Sequence, residues 1–145
     1  MRVMVIVKAN EETEAGVMPD EKYLGEMMKY NEELVNAGVM LAGEGLHPSS
    51  KAKRVKFSPG ATPVVTDGPF AETKELIAGF WLWKVNSLDD AVEWIKRCPS
   101  PDSGPDGVME IRQVADMDDF GSACTPEIRE QEERLREQIE KQKNS

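Results

Sequence analysis

The chain is poor in the side chains that most often carry chemistry. Its 145 residues include one histidine and two cysteines. A zinc centre needs three or four clustered ligands, and His47, Cys98 and Cys124 are scattered, so no metal site is expected. Two cysteines without motif spacing are expected to stay reduced, which fits a cytoplasmic protein. Basic residues are also in deficit: 18 Lys and Arg against 27 Asp and Glu leave a net charge of -9. Direct binding to nucleic acid needs a basic face and is not expected. Long apolar runs are missing. The stretch from Val3 to Val7 is too short for a signal peptide or a membrane span. Gly43-Glu44-Gly45 begins like a dinucleotide fingerprint, but His47-Pro48 follows where a helix start and a third glycine belong. With no P-loop, Gly-x-Ser-x-Gly elbow or Cys-His nucleophile pattern, no cofactor is expected.

What is present is a globular composition, 39% hydrophobic and 31% charged, in a chain long enough for one domain with a real core. The segment from Leu76 to Val85 is its most apolar part. Ile77, Trp81, Trp83 and Val85 fall on one alternation set, and Ala78, Phe80 and Leu82 on the other. A strand apolar on both faces is buried on both, so this is a central strand. Gly79 within it suggests a bulge or a close backbone approach. Ahead of it, Asp67-Gly68-Pro69-Phe70 reads as a sharp polar turn.

Arg2 to Lys8 is expected to be a first strand, again apolar on both faces. A loop over Asn10 to Met18 leads to a helix that starts at Pro19 and ends near Ala37, with Gly38 at C′. Leu24, Met27, Met28, Asn31, Leu34 and Val35 form its inward face. Val39 to Leu46 is a second strand. Lys53 to Phe57 and Pro63 to Thr66 pair as a hairpin around Ser58-Pro59-Gly60-Ala61, which suits a type II turn. After the central strand, Ser87 and Asp90 start a second helix that buries Leu88, Ala91, Val92 and Ile95. Val108 to Val114 is the last strand, with Met109 and Ile111 opposite Glu110 and Arg112. Thr125-Pro126 opens a charged C-terminal helix whose only apolar residues are Ile128, Leu135 and Ile139.

Without the hairpin the order is βαββαβ, an α+β, ferredoxin-like arrangement with both helices on one sheet face. Strands apolar on both sides then require a second subunit over the other face, so a homodimer is expected. The organisation is a domain over 1–120 and a charged helical extension over 121–145.

Several polar residues are candidates for a site. His47 stands where a glycine-rich strand breaks at a proline, and Asp67 at the mouth of the central strand. Alone, the first is an ordinary surface histidine and the second a turn cap. Together they can form an acid/base pair, because a carboxylate beside an imidazole fixes its tautomer and favours its protonated form. Glu72 and Lys74 are either an exposed charge run or the rim of a cleft. Arg112 either pairs with Glu110 or binds a substrate carboxylate. Asn31, a polar exception on a buried helix face, is either satisfied locally or available to a ligand. The three tryptophans are core or interface anchors before they are ligand platforms.

These residues carry a resemblance. Asp67-Gly68-Pro69-Phe70, Ala71 to Glu75 and the Ile77 to Trp83 strand resemble the DGPF-type branch of the YCII-related family. Tyr30 to Leu34, Ala37-Gly38-Val39, Gly43 to Pro48, Ser87 to Ala91 and Glu110-Ile111-Arg112 are similar to it as well. The resemblance covers Met1 to about Phe120 and leaves out the C-terminal helix. It implies a ferredoxin-like dimeric α+β barrel with a small-molecule cleft near a His and an Asp, here His47 and Asp67. Known activities in the family include dehydrochlorinases and lactone dehalogenases. A cofactor-independent lyase or isomerase step is the expectation, with Asn31, Glu72, Lys74 and Arg112 contacting substrate. Members of the branch are often encoded beside extracytoplasmic-function sigma factors, which implies the alternative: a non-catalytic module with a transcription-related partner.

Overall fold

A computed structural model describes residues 1–145, which divide into two units, Met1–Gln113 and Val114–Ser145. In the first, strand β1 (Arg2–Lys8) leads through a four-residue helix α1 (Glu11–Glu14) to helix α2 (Glu21–Asn36) and strand β2 (Met40–Gly45). A hairpin of β3 (Lys53–Lys56) and β4 (Val64–Asp67) follows, then β5 (Ile77–Lys84), helix α3 (Leu88–Lys96) and β6 (Met109–Gln113). The main sheet has the order β2-β5-β1-β6, with every neighbouring pair antiparallel, and the hairpin forms a separate two-stranded sheet. That α+β order is compatible with a ferredoxin-like fold.

Register sorts the side chains onto two faces. Val5 lies opposite Trp81 and Ile111, and Val3 opposite Trp83. Val3, Val5, Trp81 and Trp83 form one core cluster with Tyr30 and Leu34 of α2 and Ala91 of α3, and Ile111, Trp94 and Ile95 pack against it. Both helices therefore cover the same face. Met4, Ile6, Phe80 and Leu82 fall on the other, where register sets Met4 opposite Leu82 and Ile6 opposite Phe80. They are half-buried and lie outside the core cluster. Gly43 sits opposite Trp81, and a Cβ there would come within 2.7 Å of the indole Cδ1. The glycine of this strand makes room for the central tryptophan. Trp83 is fully buried, and its indole N–H has no hydrogen-bond partner.

The structure corrects several sequence expectations. The Asn10–Met18 region contains α1, capped by Asn10, whose side chain accepts from the Thr13 N–H at 3.0 Å. Pro19 lies outside α2, because Asp20 is the N-cap and accepts from the Tyr23 N–H at 2.7 Å. The inward face of α2 is built on Tyr30 and Leu34, whereas Leu24, Met28 and Val35 are exposed. The apolar arc of α2 is wider than its contact with the sheet, and only one side of that arc is used. In α3, Leu88 and Val92 are likewise exposed, and Trp94 with Ile95 packs inward beside Ala91.

In the second unit a 3-10 segment, Met117–Ala123, precedes helix α4 (Pro126–Lys143). The expected boundary at Phe120 falls inside that segment. Thr125 caps α4, and Arg129 donates to Asp118 at 2.7 Å. Glu130–Arg134 and Glu132–Arg136 form i,i+4 pairs along it, and Ile128, Leu135 and Ile139 remain about half exposed. No helix is long and apolar enough to cross a membrane.

Candidate functional site

The sheet gathers its loops at one end. Leu46 N–H donates to Ala78 C=O, Ala9 N–H to Leu76 C=O, and Lys8 N–H to Val108 C=O, at 2.8 to 3.0 Å. The chain leaving β2 and β1 and the chain entering β5 and β6 therefore meet there. His47 leaves β2 at this end, and the turn after Asp67 enters β5 from it.

Ser49 ties the end together. It is the one buried polar residue of the chain, 5% exposed. Its hydroxyl donates to Glu14 Oε2 at 2.6 Å and accepts from the Phe70 N–H at 3.0 Å. Its own N–H donates to Glu14 Oε1 at 3.2 Å. A carboxylate accepting two such bonds fixes the serine strongly, since hydrogen bonds to charged groups exceed neutral ones. Beside it, Gly68 N–H donates to Ala52 C=O at 2.9 Å. A Cβ on Gly68 would stand 1.7 Å from the Ser49 carbonyl oxygen, so only glycine allows this approach. The Gly68–Pro69 peptide is cis. On the other side of the turn, the Arg54 guanidinium lies 3.8 Å from the Phe70 ring centroid and 3.5 Å from Glu72. Helix α1, the loop after His47, the hairpin and the Asp67–Phe70 turn are thus bolted into one assembly.

Within that assembly the candidates are distributed unevenly. His47 is exposed and makes no hydrogen bond or ion pair with Asp67, whose Oδ1 takes Lys53 Nζ at 2.6 Å. Glu72 is held by Arg54, and Lys74 is an exposed residue of the 3-10 turn Thr73–Glu75. Asn31 is elsewhere. Its Oδ1 accepts from the Trp81 indole N–H at 3.1 Å, on the helix-covered face. Arg112 lies opposite Met4 on the other face, so the sheet separates it from Asn31, and it makes no ion pair with Glu110. These two are not brought to one place. Two open surface depressions, about 670 and 380 Å³, lie over the first turns of α2 and around Met1, Val39 and Asn86; His47 and Asp67 line neither.

Ser49 and Glu14 were missed by sequence reasoning. Their contact spans 35 residues, and neither residue stands in a recognisable motif. The Asn10-x-x-Thr13 spacing was the one available signal, because it marks a helix start that presents Glu14.

An antiparallel sheet with helices on one face and its loops bolted together at one end defines a small two-layer α+β domain with a loop-built candidate site. The chain belongs to the YCII-related domain family, which matches residues 1–118. An uncharacterized protein of Rhizobium meliloti (strain 1021) is 33% identical over 96 residues, 66% of this chain and 76% of that protein.

Proposed function

We propose that the protein is a cytoplasmic homodimer of the DGPF-type branch. In this reading its sheets face each other as an α+β barrel, and its loop end binds a small polar or aromatic molecule. If turnover follows, it is proton transfer of the lyase or isomerase type without a cofactor. His47 is then the acid/base, and Asp67 orients it. Glu72 and Lys74 rim the cleft; Asn31 and Arg112, the other expected substrate contacts, lie on opposite faces of the sheet.

One observation carries the reading. The Ser49 and Gly68 bonds fix the Asp67 turn against the loop that follows His47, a rigidity that a catalytic pair needs and a surface turn does not. The competing reading is a non-catalytic module serving a transcription-related partner, in which Asp67 is simply the ion-pair partner of Lys53.

The single histidine makes the test clean. Imidazole ¹⁵N shifts, which report tautomer and protonation, are compared in wild type, Asp67→Asn and Lys53→Ala. The pair predicts a changed tautomer balance in Asp67→Asn and a smaller change in Lys53→Ala. Identical spectra in all three would leave Asp67 a turn cap.

A further inference from the structure

The helix-free face of the main sheet carries its charges in a pattern. One transverse row reads Glu44, Phe80, Ile6, Glu110 from edge to edge, and the next reads Ala42, Leu82, Met4, Arg112. Arg2 and Lys84, opposite each other, follow beyond the second row, and Lys8 lies beyond the first. Phe80, Ile6, Leu82 and Met4 are half-buried, whereas Glu44, Glu110 and Arg112 are exposed. None of the six charged residues makes an ion pair within the chain. On the edge strand β6, Glu110 and Arg112 thus stand two residues apart with both charges unused.

Aligned sheets that pack face to face keep their strand directions within about 30° of each other. A two-fold axis can bring two copies of this face together in two such ways. With the axis along the strands, β2 meets β6, β5 meets β1, and each row meets itself. Glu44 then faces Glu110 of the second copy and Arg2 faces its Lys84, and each of these contacts occurs twice. Like charges set against each other across an interface are strongly unfavourable. With the axis across the strands, each strand meets its own counterpart and the two rows exchange. Phe80 then faces Leu82, Ile6 faces Met4 and Glu110 faces Arg112, each again twice, as an isologous contact requires. One like-charge meeting remains, Lys8 with Arg2, at the two ends of the face, where long side chains reach water.

Both arrangements stack apolar on apolar, so the apolar rows alone do not choose between them. The charges do. We infer that a second copy of this chain covers this face with the two-fold axis across the strands, and that reciprocal Glu110–Arg112 ion pairs fix that orientation. A guanidinium facing a carboxylate is suited to the task, since paired N–H···O bonds add geometric specificity to the attraction. Arg112 thereby takes an interface role. The inference rests on the proposed dimer and adds how its two copies are turned.

Sedimentation equilibrium of the wild-type full chain establishes the association; a monomer at micromolar concentration overturns both the orientation and the dimer. With a dimer present, Glu110→Arg and Arg112→Glu are made separately, at exposed positions outside the core cluster. Each variant sets like charges against each other twice, so each dissociation constant should rise about tenfold or more. An equimolar mixture of the two should associate as tightly as the wild type. In the mixed dimer one copy carries two cations and the other two carboxylates, so both pairs form again, which also shows that both variants are folded. With the axis along the strands, Glu110→Arg would bring its cation to Glu44 and tighten the dimer, and Arg112→Glu, facing Ala42, would change little. Either of those results, or a mixture no tighter than its components, overturns the orientation and leaves the dimer standing.

Discussion

The two faces of the main sheet are built from the same kinds of residue and end in opposite states. On one, Val3, Val5, Trp81 and Trp83 are buried under α2 and α3. On the other, Met4, Ile6, Phe80 and Leu82 keep part of their surface exposed, one row ending in Glu44 and Glu110 and the next in Ala42 and Arg112. The contrast separates what the chain needs in order to fold from what the proposed dimer would use. A closed face draws its stability from removing apolar area from water, about 25 cal/mol per Å². The half-covered face has the same resource still to use.

A pair of substitutions breaks the comparison if it is wrong, and carries the largest expected effect. Leu34 is fully buried beneath α2, so Leu34→Ala should cost about 2–5 kcal/mol of folding stability. Its effect on association should be small. Leu82→Asp should do the reverse: retained secondary structure by circular dichroism, with the dimer lost in sedimentation. Leu82→Asp abolishing the fold, or leaving association intact, would mean that the two faces do not divide the labour in this way.

Much of this division was legible in the sequence. Arg2–Lys8 was expected with the limits it has, because its unbroken apolar run suits a strand and is too short for a core helix. The Leu76–Val85 run announced a strand with two apolar faces, and Ser87 and Thr125 mark helix starts through local bonds alone. What failed depends on partners far along the chain. Tyr30 was not chosen for the core, because a tyrosine goes inside only when its hydroxyl finds an acceptor, here Trp94 C=O at 2.6 Å, 64 residues on. Ser49 is buried for the same reason, with Glu14 and Phe70 as partners. The His47–Asp67 pairing was read from two strand ends beside prolines and then from the resemblance. Lys53, the group that takes Asp67, became visible only when the hairpin register set the two opposite each other.

The closed face also has a pH signature. Burial pushes the Cys98 thiol up to about 11 from its ordinary 9.0, and burial, reinforced by Cys98, raises the Tyr30 hydroxyl above its ordinary 10.0. Folding thus favours the protonated, neutral forms. Their contribution is fully present below pH 9, where both states hold the protons, and drains as pH rises through 9 to 11 and beyond. Urea midpoints followed from pH 7 to 11 should fall above pH 9. They should fall less steeply in Cys98→Ala, where only Tyr30 and Tyr23, both raised by burial, remain. Parallel curves for the two proteins would show that the thiol is not coupled to folding.

The smallest expected effect concerns the second unit, whose one long helix offers a narrow apolar stripe. Ile128, Leu135 and Ile139 are each about half exposed, and the remaining positions of α4 are mostly charged or amide side chains joined by i,i+4 pairs worth about 0.2–0.5 kcal/mol each. Such a helix has little to bury. It is held instead by local devices: the Thr125 cap, Pro126 at the first turn and the Arg129–Asp118 bond. Chains ended after Phe120 lose that helix and the partner of Asp118, and nothing in the Met1–Gln113 core cluster. Their thermal unfolding should remain cooperative, with a stability change within about 0.5 kcal/mol, the range of surface substitutions. The circular dichroism loss should match one helix of 18 residues. Loss of cooperativity in this truncation would make α4 an integral part of the fold, and the half-covered sheet face would then no longer be the chain's main unused surface.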